Sequence, residues 1–191
     1  MLLMNDPKSF PSRVRFCAAN LAERGEDAIS GLIDLTSQRL VRFACTITRN
    51  QHDAEDAVQT VLIRIGNQPE LLNQAENPWS YLLKMARNES LMIVRRRKQW
   101  FSIDNLCDLL TERRVDEVQR EEVYREIWLA LRQLPVIQSE VVVLKIWEEM
   151  TFAEIADVLE VTPSTAASRY RYAIGKLSVM LRQTVGDLDH V

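Results

Sequence analysis

Residues 151–181, TFAEIADVLEVTPSTAASRYRYAIGKLSVML, constrain the fold of this chain more than any other stretch. Phe152, Ile155, Ala156 and Leu159 recur at three-four spacing, which predicts one short helix with that face inward. Thr151 precedes it and Glu154 follows three residues on, the pattern of a capping box. Glu160, Val161 and Thr162 then break the period, with Val161 filling the angle between two helices. Thr162 is placed to cap a second helix that opens on Pro163, where a missing N–H costs nothing. In that second helix Ala166, Tyr170, Ala173, Ile174 and Leu177 turn inward. Ser164, Thr165, Ser168, Arg169, Arg171 and Tyr172 turn outward. A tight two-helix corner with a basic second helix is the sequence form of a major-groove reader.

The basic character is local. The chain holds 24 Lys and Arg against 27 Asp and Glu, for a net charge of -3. The second helix nevertheless carries Arg169, Arg171, Lys176 and Arg182 with no acidic residue. A second basic stretch holds Lys84, Arg87, Arg95, Arg96, Arg97 and Lys98 against Glu89 alone. An acidic whole with two basic patches argues against indiscriminate coating of nucleic acid and for small, placed contacts. The N-terminus of the second helix favours a phosphate. Arg169 and Arg171 can reach a guanine edge, a bidentate contact worth ~1–3 kcal/mol of discrimination.

Five Gly and six Pro in 191 residues, with the apolar residues at helical spacing, predict an all-α fold. From Glu26 the stripe runs through Ile29, Leu32, Ile33, Thr36, Leu40, Phe43, Ala44 and Ile47. Asp53 is placed to cap the next helix, which turns Ala54, Ala57, Val58, Val61, Leu62 and Ile65 inward. A loop containing Pro69 leads to Asn77 and Pro78, a cap and first-turn pair. The helix after it buries Trp79, Leu82, Leu83, Ala86, Ile93 and Val94; Trp79 falls on the apolar stripe and belongs to the core. The expected organisation is an extension over 1–24, a helical domain over 25–98 and a linker over 99–116. A second helical domain follows over 117–182, with a tail over 183–191. Domains of ~60–75 residues bury only about 60% of their unfolded surface, so partners that hold them in place suit this size.

Cys17, Cys45 and Cys107 are odd in number and far apart, which suggests neither a disulfide framework nor a zinc cluster. No apolar run approaches the ~18 residues of a membrane span. The apolar start at the N-terminus is broken by Asn5, Asp6 and Pro7, unlike a signal peptide. A cytoplasmic protein without membrane insertion is expected, with no cofactor and no metal.

The segment LPVIQSEVVVLKIWEEMTFAEIADVLEVTPSTAASRYRYAIGKL resembles region 4 of bacterial sigma factors. DAEDAVQTVLIRI and NPWSYLLKMARNESLMIVRRRKQ resemble region 2, and the order and spacing are those of the extracytoplasmic-function group. The resemblance covers residues 26–181 and implies two partners, core RNA polymerase and promoter DNA. Region 2 of such proteins docks on the clamp helices of the beta-prime subunit and captures a flipped base of the melted minus-ten element. Region 4 reads the minus-thirty-five element as duplex and touches the flap of the beta subunit. Here that implies core-polymerase binding by Asp53, Asp56, Gln59 and Thr60. Minus-ten contacts are implied for Tyr81, Lys84, Arg87, Asn88, Arg95, Arg96, Arg97 and Lys98, with the loop over 68–77. Minus-thirty-five contacts are implied for Ser164, Thr165, Ser168, Arg169, Arg171 and Tyr172. Many relatives are also held by an anti-sigma factor.

The chain departs from the family pattern in three places. Gly66 stands where an aromatic is frequent. Ala167, Tyr172 and Ile174 stand where the recognition helix often carries Arg or Lys, which implies fewer phosphate contacts. The first 24 residues match nothing in the pattern. An enzyme is a poorer reading, because the polar cluster His52, Asp53, Glu55 and Asp56 does not share one helix face and no phosphate loop or nucleophile elbow occurs. The same residues also suit a helix-turn-helix regulator that never meets core polymerase, or an interaction protein that uses only the acidic helix.

Overall fold

The computed structural model describes residues 9–24, 26–97 and 118–188. Lys98, the linker and residues 189–191 of the tail lie outside the described residues. All regular structure among the described residues is helical: α1 Phe10–Arg24, α2 Glu26–Thr48, α3 Gln51–Asn67, α4 Glu70–Asn73, α5 Pro78–Arg97, α6 Val118–Gln133, α7 Val136–Ile146, α8 Phe152–Leu159 and α9 Pro163–Leu188. The chain divides into two compact units, the first built from α1–α5 apart from Gln51, and the second from α6–α9 together with residues 49–51.

In the first unit α2 and α5 form the central packing, with α1 across both and over α4. The expected stripe is buried at Leu32, Thr36, Leu40, Phe43, Ala44 and Ile47 on α2 and at Trp79, Leu82, Leu83 and Ala86 on α5. Ile33 lies at the surface instead, and Ile29 on α2 and Ile93 and Val94 on α5 are only half-buried. The stripe admits hydroxyls because each finds a carbonyl on its own helix: Thr36 Oγ1 donates to Leu32 O and Ser90 Oγ to Ala86 O, both at 2.7 Å.

Residues 10–24 are not the separate extension that the sequence implied. They form α1, whose Val14, Ala18 and Leu21 are buried. Three apolar residues at i, i+4 and i+7 were enough to carry it into the core. Cys17 on the same helix has its thiol pKa pushed up by burial, against a smaller lowering by Arg13. Asp53 does not cap α3 either, because that helix already begins at Gln51 and Asp53 lies in its first turn. Arg49, at φ 58°, turns the chain between α2 and α3. An added Cβ at Gly66 would meet Ile29 Cδ1 at 3.3 Å, so a side chain there needs the end of Ile29 to give by a few tenths of an ångström.

In the second unit α7 is the buried hub, with Val141, Val142, Val143 and Leu144 all inside, and α9 packs on α6, α7 and α8. Ser139 ties α6 to α7 by donating to Leu131 O at 2.8 Å. Trp128 and Trp147 lie 5.4 Å apart between ring centroids.

Candidate nucleic-acid interface

The corner between α8 and α9 is built by local chemistry. Thr151 Oγ1 accepts the Glu154 N–H at 3.3 Å while Glu154 Oε2 accepts the Thr151 N–H at 2.8 Å, a complete capping box. Ile155, Ala156, Val158 and Leu159 bury the inner face of α8. Glu160 closes the helix in the left-handed region, φ 55° and ψ 48°, and the Val161 N–H returns to Ala156 O at 3.0 Å. A non-glycine there carries a modest steric cost, held by the packing on either side.

Thr162 caps α9, its Oγ1 accepting the Thr165 N–H at 3.2 Å. The same hydroxyl lies 2.9 Å from Ser164 Oγ and 2.8 Å from Thr165 Oγ1. A cluster of three hydroxyls thus sits at the positive end of the helix dipole, which suits a phosphate oxygen. Ala166 and Ala173 are fully buried, and Tyr170 meets Phe152 edge to face at 5.7 Å. Ser164, Ser168, Arg171 and Gly175 fall at i, i+4, i+7 and i+11, one stripe opposite that core. Tyr172, 69% exposed, stands beside it. Arg169 lies nearer the buried edge and is half-buried, so Arg171 is the more freely presented of the two arginines.

On α5 the stripe opposite the core is Tyr81, Lys84, Asn88 and Arg95, with Arg87 and Arg96 on its two flanks. Asn88, Arg95 and Arg96 are exposed; Tyr81, Lys84 and Arg87 are half-buried. Arg96 also reaches Met92 Sδ at 3.6 Å. The loop before α5 contains α4, and Asn77 caps α5 by accepting the Ser80 N–H at 3.2 Å. Trp79 is 2% exposed, a core residue as its position on the stripe implied.

The outer stripe of α3 presents Asp56, Gln59 and Thr60, all exposed, with Thr60 Oγ1 donating to Asp56 O at 2.8 Å. It continues to Ile63, 56% exposed, which a helical wheel drawn from Asp56 reaches seven residues on. Asp53 is turned to the edge of this stripe. There its Oδ2 accepts from Arg97 at 3.1 Å, an ion pair whose side chains are 25% and 37% exposed. Spacing on single helices separated these two residues into different sites; the ion pair between α5 and α3 joins them. His52 and Glu55 pair at 3.8 Å on the solvent side. No group of three or more metal-ligating side chains occurs among the described residues, and no described helix is long and apolar enough to cross a membrane.

Two family models match this chain. One, described as Sigma-70 region 2, covers residues 32–100, and the other, Sigma-70, region 4, covers residues 124–177. The chain is 28% identical over 158 residues to the ECF RNA polymerase sigma factor SigL of Mycobacterium tuberculosis, spanning 80% of this chain and 88% of that protein. It is 26% identical over 155 residues to the RNA polymerase sigma-E factor of Streptomyces coelicolor, spanning 78% and 82%. Among solved structures, CnrH in complex with the cytosolic domain of CnrY shares the fold with a TM-score of 0.60 at 20% identity, over 88% of this chain and 97% of that one.

Proposed function

The chain belongs to the sigma-70 family as an extracytoplasmic-function sigma factor carrying regions 2 and 4, and on that premise we propose how its surfaces divide the work of transcription initiation. It is an alternative sigma factor that associates with core RNA polymerase and directs promoter recognition. The first unit docks on the clamp helices of the beta-prime subunit through Asp56, Gln59 and Thr60. Asp53 stands at the margin of that face, already engaged by Arg97. An acidic helix suits a basic clamp surface, which speeds encounter and selects the partner.

The loop over 68–77 and the α5 stripe of Tyr81, Lys84, Asn88 and Arg95 take the melted minus-ten strand. Tyr81 is the aromatic on that path, and stacking on such a ring is worth ~1–3 kcal/mol per base. Arg87 and Arg96 flank the strand and meet its phosphates. The second unit lays α9 in the major groove of the minus-thirty-five element, with the Thr162, Ser164 and Thr165 hydroxyls at a phosphate. Arg171 and Tyr172 face the base edges. The protein acts in the cytoplasm with the polymerase, and the beta flap meets the second unit. CnrH was solved with a cytosolic domain of another protein, which supports a comparable anti-sigma partner here.

The observation that carries this reading is the pairing, in one chain, of an outward polar stripe on α3 centred on Asp56 with a capped helix-turn-helix on α8 and α9. Its test is co-migration of the purified protein with core RNA polymerase on gel filtration. Asp56 is exposed, so Asp56→Arg is expected to keep the fold and lose the complex. Unchanged co-migration of the variant would remove α3 from the docking face.

A further inference from the structure

The helix α1 lies wholly upstream of residue 32, where the region 2 match begins, yet it touches the segment assigned above to the melted strand. Arg15 donates to the backbone carbonyl of Glu76 at 2.7 Å, across 61 residues of sequence. Phe10 sets its ring against Trp79 with centroids 4.9 Å apart and planes at 82°, the edge-to-face geometry that aromatic pairs prefer. The Arg39 guanidinium covers Phe10 at 3.9 Å and holds that ring in place. Between the two contacts lie only Asn77, which caps α5, and Pro78, which is buried. The helix therefore grips the chain on both sides of the point where the loop becomes α5.

We propose that α1 sets the loop over 68–77 in the shape that receives the melted promoter strand, with Arg15 and Phe10 as its positioning residues. The proposal rests on the assignment of that loop to the minus-ten strand. Val14, Ala18 and Leu21 anchor α1 in the core, so its outer side chains are a rigid reference for the loop. An open cleft of about 160 Å³ runs along the same seam, lined by Arg15, Ala18, Asn73, Glu76 and Pro78. The seam is thus not closed by continuous packing, and the Arg15 hydrogen bond spans it. Without that bond the loop must be ordered at the moment of strand binding, and the ordering cost falls on that step alone. Docking through α3 and duplex reading through α9 do not bear it.

The test uses the full chain assembled with core polymerase. Its probes are a single-stranded DNA pool randomised over a central window and, as control, a duplex pool. Arg15 is exposed, and Arg15→Ala is expected to leave thermal stability, core association and duplex retention unchanged. Retention of the single strand is expected to fall about three- to ten-fold, the effect of one ordinary solvent-exposed hydrogen bond. Amide exchange over residues 70–76 is expected to quicken while that of α3 and α9 does not. Arg15→Lys, which can still donate to the Glu76 carbonyl, restores part of the retention; Phe10→Leu gives an independent, smaller loss. Wild-type strand retention by Arg15→Ala overturns the proposal, as does an equal loss of strand and core binding. A wild-type complex that forms but retains no strand overturns the loop assignment itself, and it differs from a failure of α1 because the wild type is then already silent.

Discussion

The ion pair between Asp53 and Arg97 changes what the basic end of α5 can do. Arg95 and Arg96 point to solvent, whereas the charge of Arg97 is partly answered within the protein. A pair this exposed contributes no more than ~1 kcal/mol to stability, but it biases which arginines meet phosphate. Replacing Arg95 or Arg96 with Ala should each flatten the log-log salt dependence of single-strand binding by about 0.7, the increment per neutralised phosphate. Arg97→Ala should flatten it by clearly less, and binding isotherms across a salt series would show this. An equal effect at all three positions would mean that DNA displaces Asp53 from Arg97. The outward faces of α3, α5 and α9 were legible in the sequence because each helix has one apolar face, which leaves the other by subtraction, but half-buried Arg169 shows that subtraction does not rank the residues within a face. The pairing of Asp53 with Arg97 was not legible, because it joins side chains on two different helices.

At the scale of elements, local rules account for the second unit. Capping box, proline at the first helical position and inward alanines all specify the same corner, and the structure has each of them. Thr162→Ala removes one cap and should cost that unit ~1 kcal/mol. Gly175 lies on the outer stripe of α9 with nothing within 4 Å of an added Cβ. Gly175→Ala should therefore stabilise the unit by roughly 0.5–1 kcal/mol through helix propensity. Thermal denaturation of the two variants should move the midpoint in opposite directions. The element that the sequence reading took for an extension is α1. Its Phe10, Val14, Ala18 and Leu21 keep the three-four spacing of an amphipathic helix among Arg13, Arg15 and Asn20, so its inner face was legible in the sequence. What holds it is tertiary: α2 and α5 offer a groove that α1 completes.

The whole molecule combines an acidic net charge with basic patches confined to α5 and α9. Such a chain is repelled by DNA at large and attracted only where those helices can be brought to bear. Each unit also holds its own aromatic cluster. Trp79 in the first is buried against Phe10, and Trp128 and Trp147 in the second face one another across 5.4 Å. These indoles are natural chromophores of different kinds, among the described residues one shielded ring in the first unit and a close pair in the second. With Trp100, Trp128 and Trp147 replaced by Phe, the emission of Trp79 should follow the seating of α1; with Trp79 and Trp100 replaced instead, the near-ultraviolet dichroism of the remaining pair should follow the helix-turn-helix. Chemical denaturation watched at both signals should then resolve whether the halves melt together or in turn. The protein reports on its own two parts in light, without a label attached to either.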